Sequence, residues 1–160
     1  MPSENESLVS AVRRLMSRLG LKGEIISHLG QSGKDTEEAE RALGVPTKSI
    51  LKVIVFESRE DYVIAIVTGD RRVDVKRLEV LSGLKEIRLA RPEDVESFTG
   101  FNIGGVPPFV FKDLCSVFVD EEVMNRKFVI GSAGSEYVGV RFSPRELLKL
   151  GYSVAKIVQD

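Results

Sequence analysis

The spacing of hydrophobic residues changes along the chain from a helical period to strand-like runs. An amphipathic helix is predicted to begin after the capping-box pattern of Ser3 and Glu6 and to end at Gly20. Its apolar residues follow helical spacing: Leu8, Val9, Val12, Leu15, Met16 and Leu19. Two Ile- and Val-rich runs, 50–56 and 62–67, predict paired strands. Both runs are too uniformly apolar for a sheet with one solvent face, so helices are expected on both sides.

Capping and turn residues predict the other elements. Helices are expected from Asp35 or Thr36 to Gly44, from Asp74 to Leu81, from Pro92 to about Gly100, and after Ser143. Strands are expected near 87–90, 116–119, 127–130, 137–141 and after Gly151. No repeat or long linker interrupts this order, which predicts a single α/β (α+β) domain over residues 1–160 with a mixed β-sheet flanked by helices.

Composition limits the classes of function. The 160 residues carry a net charge of −1, so nucleic-acid binding would need a local basic patch. The sequence shows no targeting segment and no apolar run long enough to span a membrane, and we expect a cytoplasmic protein. The lone Cys115 rules out an internal disulfide and a zinc site built on paired thiolates, and its apolar neighbours predict an inert, buried thiol. No metal and no cofactor is expected.

Lys52 is the first candidate for chemistry, because it lies within the apolar run 50–56. A buried lysine is costly unless it meets an anion or lines a cavity. Lys52 therefore either extends its charge to solvent at a strand edge or holds a phosphate, carboxylate or developing oxyanion.

Two glycine-containing segments could present polar groups. In the segment 99–109, Gly104 and Gly105 allow backbone shapes that could aim N–H groups at a ligand, although glycine pairs also occur in plain turns. The segment 131–135 is expected to be a small-residue turn, either a simple hairpin turn or a site for a carbonyl or anion. His28 could act as a general base, but a lone loop histidine more often has no catalytic role. The common nucleotide-binding motifs are absent.

Several of these segments, in this order, resemble the YbaK/ProX family of aminoacyl-tRNA deacylases, which includes the editing domain of many bacterial prolyl-tRNA synthetases. The resemblance covers about residues 36–150. It rests on the following segments: Thr36–Ala39 with Ala42–Val45, Ile50–Phe56 with Lys52, Gly69–Leu78, Thr99–Pro107, Ser132–Gly134 and Ser143–Leu147. It implies a partly barrel-like mixed sheet, with an editing core over about 25–150 preceded by the N-terminal helix.

The resemblance also implies an activity: hydrolysis, without a metal, of the ester of a mischarged tRNA whose 3′ end enters a cleft. Lys52 would engage a phosphate near the terminal adenosine, and the amides of Gly104 and Gly105 would bind the ester carbonyl. Substrate-binding roles are implied for further residues: Phe101, Asn102, Ile103, Ser132, Gly134 and His28. Alanine, cysteine or serine on tRNA(Pro) are the implied substrates, with transient association with a prolyl-tRNA synthetase.

Two alternatives remain open from the sequence. The first is a tRNA- or synthetase-binding module that keeps the fold without hydrolysis, and the second is a nucleotide-binding protein in which Lys52 holds a phosphate outside tRNA. If Lys52 and the glycine pair faced different surfaces, the non-catalytic alternative would be favoured.

Overall fold

The computed structural model describes residues 4–27, 41, 43–59 and 61–160. The longer helices are α1 (Glu4–Leu19), α2 (Val75–Ser82) and α3 (Pro92–Thr99), and short 3-10 helices span Thr47–Ser49, Glu121–Asn125 and Pro144–Leu150. The strands are β1 (Glu24–Ser27), β2 (Leu51–Ser58), β3 (Asp61–Thr68), β4 (Arg88–Leu89), β5 (Ser116–Asp120), β6 (Val129–Ser135), β7 (Val138–Phe142) and β8 (Ser153–Ala155). The helix predicted over 35–44 lies outside the described residues, except for positions 41, 43 and 44.

The strands form two sheets rather than one. A five-stranded mixed sheet has the order β4-β2-β3-β5-β8, in which β3 and β8 pair with β5 in parallel and the other pairs are antiparallel. A three-stranded antiparallel sheet has the order β1-β7-β6. An isolated parallel bridge between Ile50 and Ile130 joins them. The predicted mixed sheet is therefore confirmed, but it is divided at this seam.

Both faces of the five-stranded sheet are covered, as the apolar runs predict. Leu51 and Val55 face a first core cluster that includes Val12 and Met16 of α1. Phe56 of the same strand faces a second cluster with Leu78 of α2. Successive residues of a strand point to opposite faces, so β2 contributes to both clusters.

Local capping sets the ends of α2 and α3. The Asp74 carboxylate accepts a hydrogen bond from the Arg77 amide at 3.1 Å, and Gly83 ends α2 with φ of 76°. Pro92 occupies the first turn of α3, and Gly100 ends that helix with φ of 82°. These boundaries confirm the sequence prediction to within a residue or two.

One local prediction was wrong. Residues 131–135 do not form the predicted turn, because they continue β6 through a bulge between Ser132 and Ser135. The turn that joins β6 to β7 lies at residues 136–137 instead. The helix predicted after Ser143 is a 3-10 helix, and its Glu146 carboxylate accepts a hydrogen bond from the Lys22 amide at 2.6 Å.

Candidate functional site

Lys52 is half-buried near the start of β2, where it pairs with Val67 of β3. Its ammonium group donates a hydrogen bond to the carbonyl oxygen of Arg71 at 2.5 Å. Burial lowers the pKa of Lys52 from its usual 10.5, and the charge of Arg72 lowers it further, whereas Asp70 opposes the shift. Lys52 is thus a desolvated cation beside a second cation, an arrangement that a bound anion would stabilise.

The loop after β3 holds the group that orients Lys52. The amide of Arg71 donates to the carbonyl of Thr68 at 3.1 Å, and the Thr68 hydroxyl donates to the Asp70 carboxylate at 2.7 Å. The Arg71 guanidinium forms an ion pair with Glu122 at 3.2 Å. Sequence reasoning placed this loop in the family motif but gave it no role, because its contact with Lys52 is not local.

The glycine pair forms a closed turn. The amide of Gly105 donates to the carbonyl of Asn102 at 2.9 Å, and Gly104 has φ of 87°, as the third residue of a type II turn requires. The amide of Gly105 is therefore committed within the fold. Across the described parts of the chain, the N–H groups of Ile103 and Gly104 have no hydrogen-bond partner. Two adjacent amides at this turn can donate to a carbonyl or an oxyanion.

Strand β6 fixes the position of this turn. The Ser132 hydroxyl donates to the Gly104 carbonyl at 2.7 Å, and the Gly134 amide donates to the Gly105 carbonyl at 3.0 Å. Gly134 is buried with φ of 97°, and a Cβ there would lie 3.1 Å from the backbone of Leu8 in α1. In this structure Ser132 and Gly134 support the turn.

The three residues before Gly104, also expected to bind substrate, differ in exposure. Phe101 is only 9% exposed and packs in the first core cluster, so its side chain is part of the scaffold. Asn102 is exposed, and Ile103 is 43% exposed. Two of the three thus present side chains to solvent at the turn. His28 lies outside the described residues.

The bridge between the two sheets places Lys52 and Ser132 at equivalent positions of β2 and β6. Ile50 and Ile130 pair directly, and directly paired residues project to the same face. Lys52 and Ser132 each lie two residues further along β2 and β6, so both side chains lie opposite the first core cluster. No further pair joins β2 to β6 in the described residues. Lys52 and Ser132, which supports the glycine turn, therefore lie on the same face where β2 and β6 separate.

Arg126 is a further polar residue beside the seam, and the sequence gave no signal for it. Its guanidinium donates to the Ser49 hydroxyl at 3.0 Å, next to Ile50. Its Nε is buried and has no hydrogen-bond partner among the described residues. Arg126 therefore adds a third cationic side chain to this end of the sheet.

Comparison with known proteins identifies the family. A family model described as the aminoacyl-tRNA editing domain matches residues 31–150. This chain belongs to that family. The editing domain contains Lys52, the glycine turn and β6, whereas α1 precedes the matched region.

Individual relatives agree with this assignment. The chain is 30% identical over 129 residues to YwhH of Bacillus subtilis, a protein without a characterised function, and the match covers 80% of this chain and 82% of that protein. It is 28% identical over 115 residues to EbsC of Enterococcus faecalis, named as a candidate Cys-tRNA(Pro)/Cys-tRNA(Cys) deacylase, covering 71% of this chain and 70% of that protein. A crystal structure described as a candidate trans-editing enzyme for prolyl-tRNA synthetase superposes with a TM-score of 0.87 at 28% identity, covering 100% of both chains.

Two other kinds of feature are absent from the described residues. No group of three or more His, Cys, Asp or Glu residues there could hold a metal ion. No helix in the same part of the chain is long and apolar enough to cross a membrane.

Proposed function

We propose that this editing domain acts in trans to hydrolyse the ester bond of mischarged aminoacyl-tRNA, with alanine, cysteine or serine removed from tRNA(Pro). The observation that carries the proposal is the common face of Lys52 and the Ser132-supported glycine turn, in a chain of the editing family. The similarity to EbsC and to the candidate prolyl-tRNA trans-editing enzyme supports the choice of tRNA.

The chemistry follows from the free donors at the turn. The ester carbonyl would accept hydrogen bonds from the N–H groups of Ile103 and Gly104. Water adds to the carbonyl carbon and the carbonyl oxygen becomes an oxyanion, which these fixed amides stabilise without reorganisation. The bond to the ribose oxygen then breaks, this oxygen takes up the proton lost by the attacking water to become a hydroxyl, and the free amino acid leaves. Loss of one such donor costs roughly 100- to 1,000-fold in rate in other hydrolases.

Lys52 would position the substrate rather than react with it. Its ammonium group has one hydrogen bond, to the Arg71 carbonyl, and retains two further N–H donors. A phosphate near the terminal adenosine could accept these and offset the repulsion between Lys52 and Arg72. The ester would then lie over the turn on the same face.

Partner recognition is the second part of the proposal. A transient complex with a prolyl-tRNA synthetase would deliver the tRNA after mischarging. The likeness to a crystal structure of a candidate trans-editing enzyme for prolyl-tRNA synthetase supports this choice of partner.

The test measures ester loss from tRNA(Pro) and tRNA(Ala), each charged separately with alanine, cysteine, serine or proline. Wild type should hydrolyse one or more mischarged species. In Lys52→Ala the rate should fall about 100-fold, because a lost hydrogen bond to a charged group is worth up to about 3 kcal/mol. Lys48→Ala is the matched control, because Lys48 is exposed four residues away. If every ester survives at the background rate while tRNA still binds, the chain is a binding module instead.

A further inference from the structure

The solvent face of α1 concentrates basic side chains. Arg13, Arg14 and Arg18 are exposed on this helix, whereas Val12 and Met16 on its other side are buried in the first core cluster. Lys22, just after the helix, is also exposed. Residues 8–23 contain these four basic residues and no acidic residue, although the whole chain has a net charge of −1. This stretch of the chain is therefore locally basic.

These arginines differ from the exposed arginines elsewhere in the fold. In the described residues, Arg13, Arg14 and Arg18 form no ion pair. By contrast, Arg88 pairs with Glu57 at 3.1 Å and Arg91 pairs with Asp94 at 3.1 Å. The positive charge of α1 is thus not neutralised by the described carboxylates and is available to an anionic partner.

Helix α1 lies one packing layer from the glycine turn. The backbone of Leu8 packs against Gly134, whose amide binds the Gly105 carbonyl. Along the helix axis, Arg18 lies about 15 Å from Leu8, at about 1.5 Å per residue. Leu8, Val12 and Met16 face the core, so the basic side chains point away from Gly134. The first of them, Arg13, lies about 7.5 Å from Leu8 along the helix axis.

We propose that the basic face of α1, formed by Arg13, Arg14, Arg18 and Lys22, binds the sugar–phosphate backbone of the double-stranded acceptor stem. Double-stranded RNA is recognised mainly through its shape and its phosphate and ribose groups, for which the exposed arginines of a rigid helix are suited. The single-stranded 3′ end then reaches the turn. This inference rests on the proposed function for the identity of the RNA, but it assigns binding to a helix outside the matched region 31–150.

The test is equilibrium binding of an uncharged acceptor-stem hairpin with a CCA end, measured at several salt concentrations. The variant Arg13→Gln/Arg14→Gln/Arg18→Gln should bind at least tenfold more weakly at low salt. Its slope of log affinity against log salt should fall by about two to three, since each phosphate contact contributes roughly 0.7 to 0.9. Binding of a short single-stranded CCA oligonucleotide should not change.

The control for loss of charge alone is Lys85→Gln/Arg91→Gln/Lys112→Gln, which removes three exposed cations outside α1 and should keep wild-type binding. Arg18→Glu is a second variant that leaves the other arginines intact and should still weaken hairpin binding. Thermal melting checks that each variant is folded. The proposal is overturned if the α1 variants keep the wild-type affinity and salt slope. It is also overturned if the triple variant outside α1 loses as much hairpin affinity as the α1 variants.

Failure of the proposed function gives a different result. If hairpin binding depends on α1 but wild type hydrolyses no ester, the α1 surface stands and the deacylase assignment fails. If wild type hydrolyses esters in a Lys52-dependent manner while the α1 variants bind normally, only the α1 surface fails.

Discussion

The Gly134 amide donates a hydrogen bond to the Gly105 carbonyl at 3.0 Å, and the two backbones are so close that Gly105 could not carry a side chain without displacement. A Cβ on Gly105 would lie 3.2 Å from the carbonyl carbon and oxygen of Gly134. On its other side, Gly134 packs against Leu8. The backbones of Gly105, Gly134 and Leu8 are thus packed in succession next to the amides of Ile103 and Gly104.

Gly105→Ala should destabilise the fold and impair hydrolysis together. The new Cβ meets backbone atoms, which cannot move aside as a flexible side chain could, so we expect a loss of about 1–3 kcal/mol in the free energy of unfolding. The displaced turn should lose most of its activity. Chemical denaturation and ester hydrolysis measure the two effects.

Gly83→Ala is the matched control for Gly105→Ala. Gly83 has φ of 76° at the end of α2, and a Cβ there has no neighbour within 4 Å. The strain of a left-handed alanine costs about 1–2 kcal/mol, similar to the expected loss at Gly105, but activity should remain. Equal loss of activity in both variants would show that reduced stability, not the turn, is responsible.

Ile103→Pro should remove one amide donor while preserving the turn. Ile103 occupies the second position of a turn closed by Gly105 and Asn102, where proline is favoured. If this N–H stabilises the oxyanion, the rate of hydrolysis should fall about 100- to 1,000-fold with little change in melting temperature. Ile103→Ala keeps the N–H and should retain activity. Full activity in Ile103→Pro would exclude this donor from the mechanism.

The pH dependence of hydrolysis should report the charge of Lys52. Burial and the charge of Arg72 lower the pKa of Lys52 below 10.5, so the charged form is lost at a lower pH than for a free lysine. After subtraction of spontaneous hydrolysis, the enzymatic rate should fall as pH rises through that lowered pKa. Lys52→Arg should keep its residual activity over the same range, because a guanidinium stays protonated. Identical alkaline profiles for both proteins would assign the decline to another group.

Lys52 should also affect stability over the same pH window. Between the lowered pKa in the folded state and the usual 10.5, the unfolded chain binds more protons. The contribution of Lys52 to the free energy of unfolding should therefore rise with pH through that window. Comparison with Lys52→Met, which has no titrating group, isolates this contribution.

Cys115 should be chemically inert. Burial raises the pKa of its thiol to about 11, so the reactive thiolate is scarce near neutral pH. Alkylation by iodoacetamide should be much slower than for a cysteine in the unfolded chain, and Cys115→Ser should retain ester hydrolysis. Rapid labelling of the native protein would contradict this expectation.

Tyr152→Phe should loosen the segment that follows the glycine turn. The Tyr152 hydroxyl donates to the Pro108 carbonyl at 2.9 Å and accepts from the Phe111 amide at 3.3 Å. Loss of the hydroxyl leaves two buried backbone groups without partners, so we expect a loss of about 1–3 kcal/mol in the free energy of unfolding. A melting temperature equal to that of wild type would mean that water replaces the hydroxyl.

Local signals in the sequence predicted most of the elements. Asp74 and Gly83 delimit α2, and Pro92 begins α3, because capping depends on contacts within one helical turn. The small residues of 131–135 were wrongly predicted to form a turn, because small residues are required there for a different reason. A Cβ on Gly131 would lie 3.1 Å from Pro108, and one on Gly134 would meet Leu8. Close packing of non-local segments, rather than chain reversal, requires small residues there.

The sequence by itself determined the two-sided sheet, the helix ends and the unusual lysine within an apolar strand, because hydrophobic period, caps and a misplaced charge are local properties. Only the tertiary structure decided what Lys52 faces. The Ile50–Ile130 bridge sets its alignment with Ser132, and the contact with Arg71 sets its orientation. The tertiary structure also decided that the Gly105 amide is occupied. These contacts join distant segments, and their geometry depends on how separate strands and loops pack together.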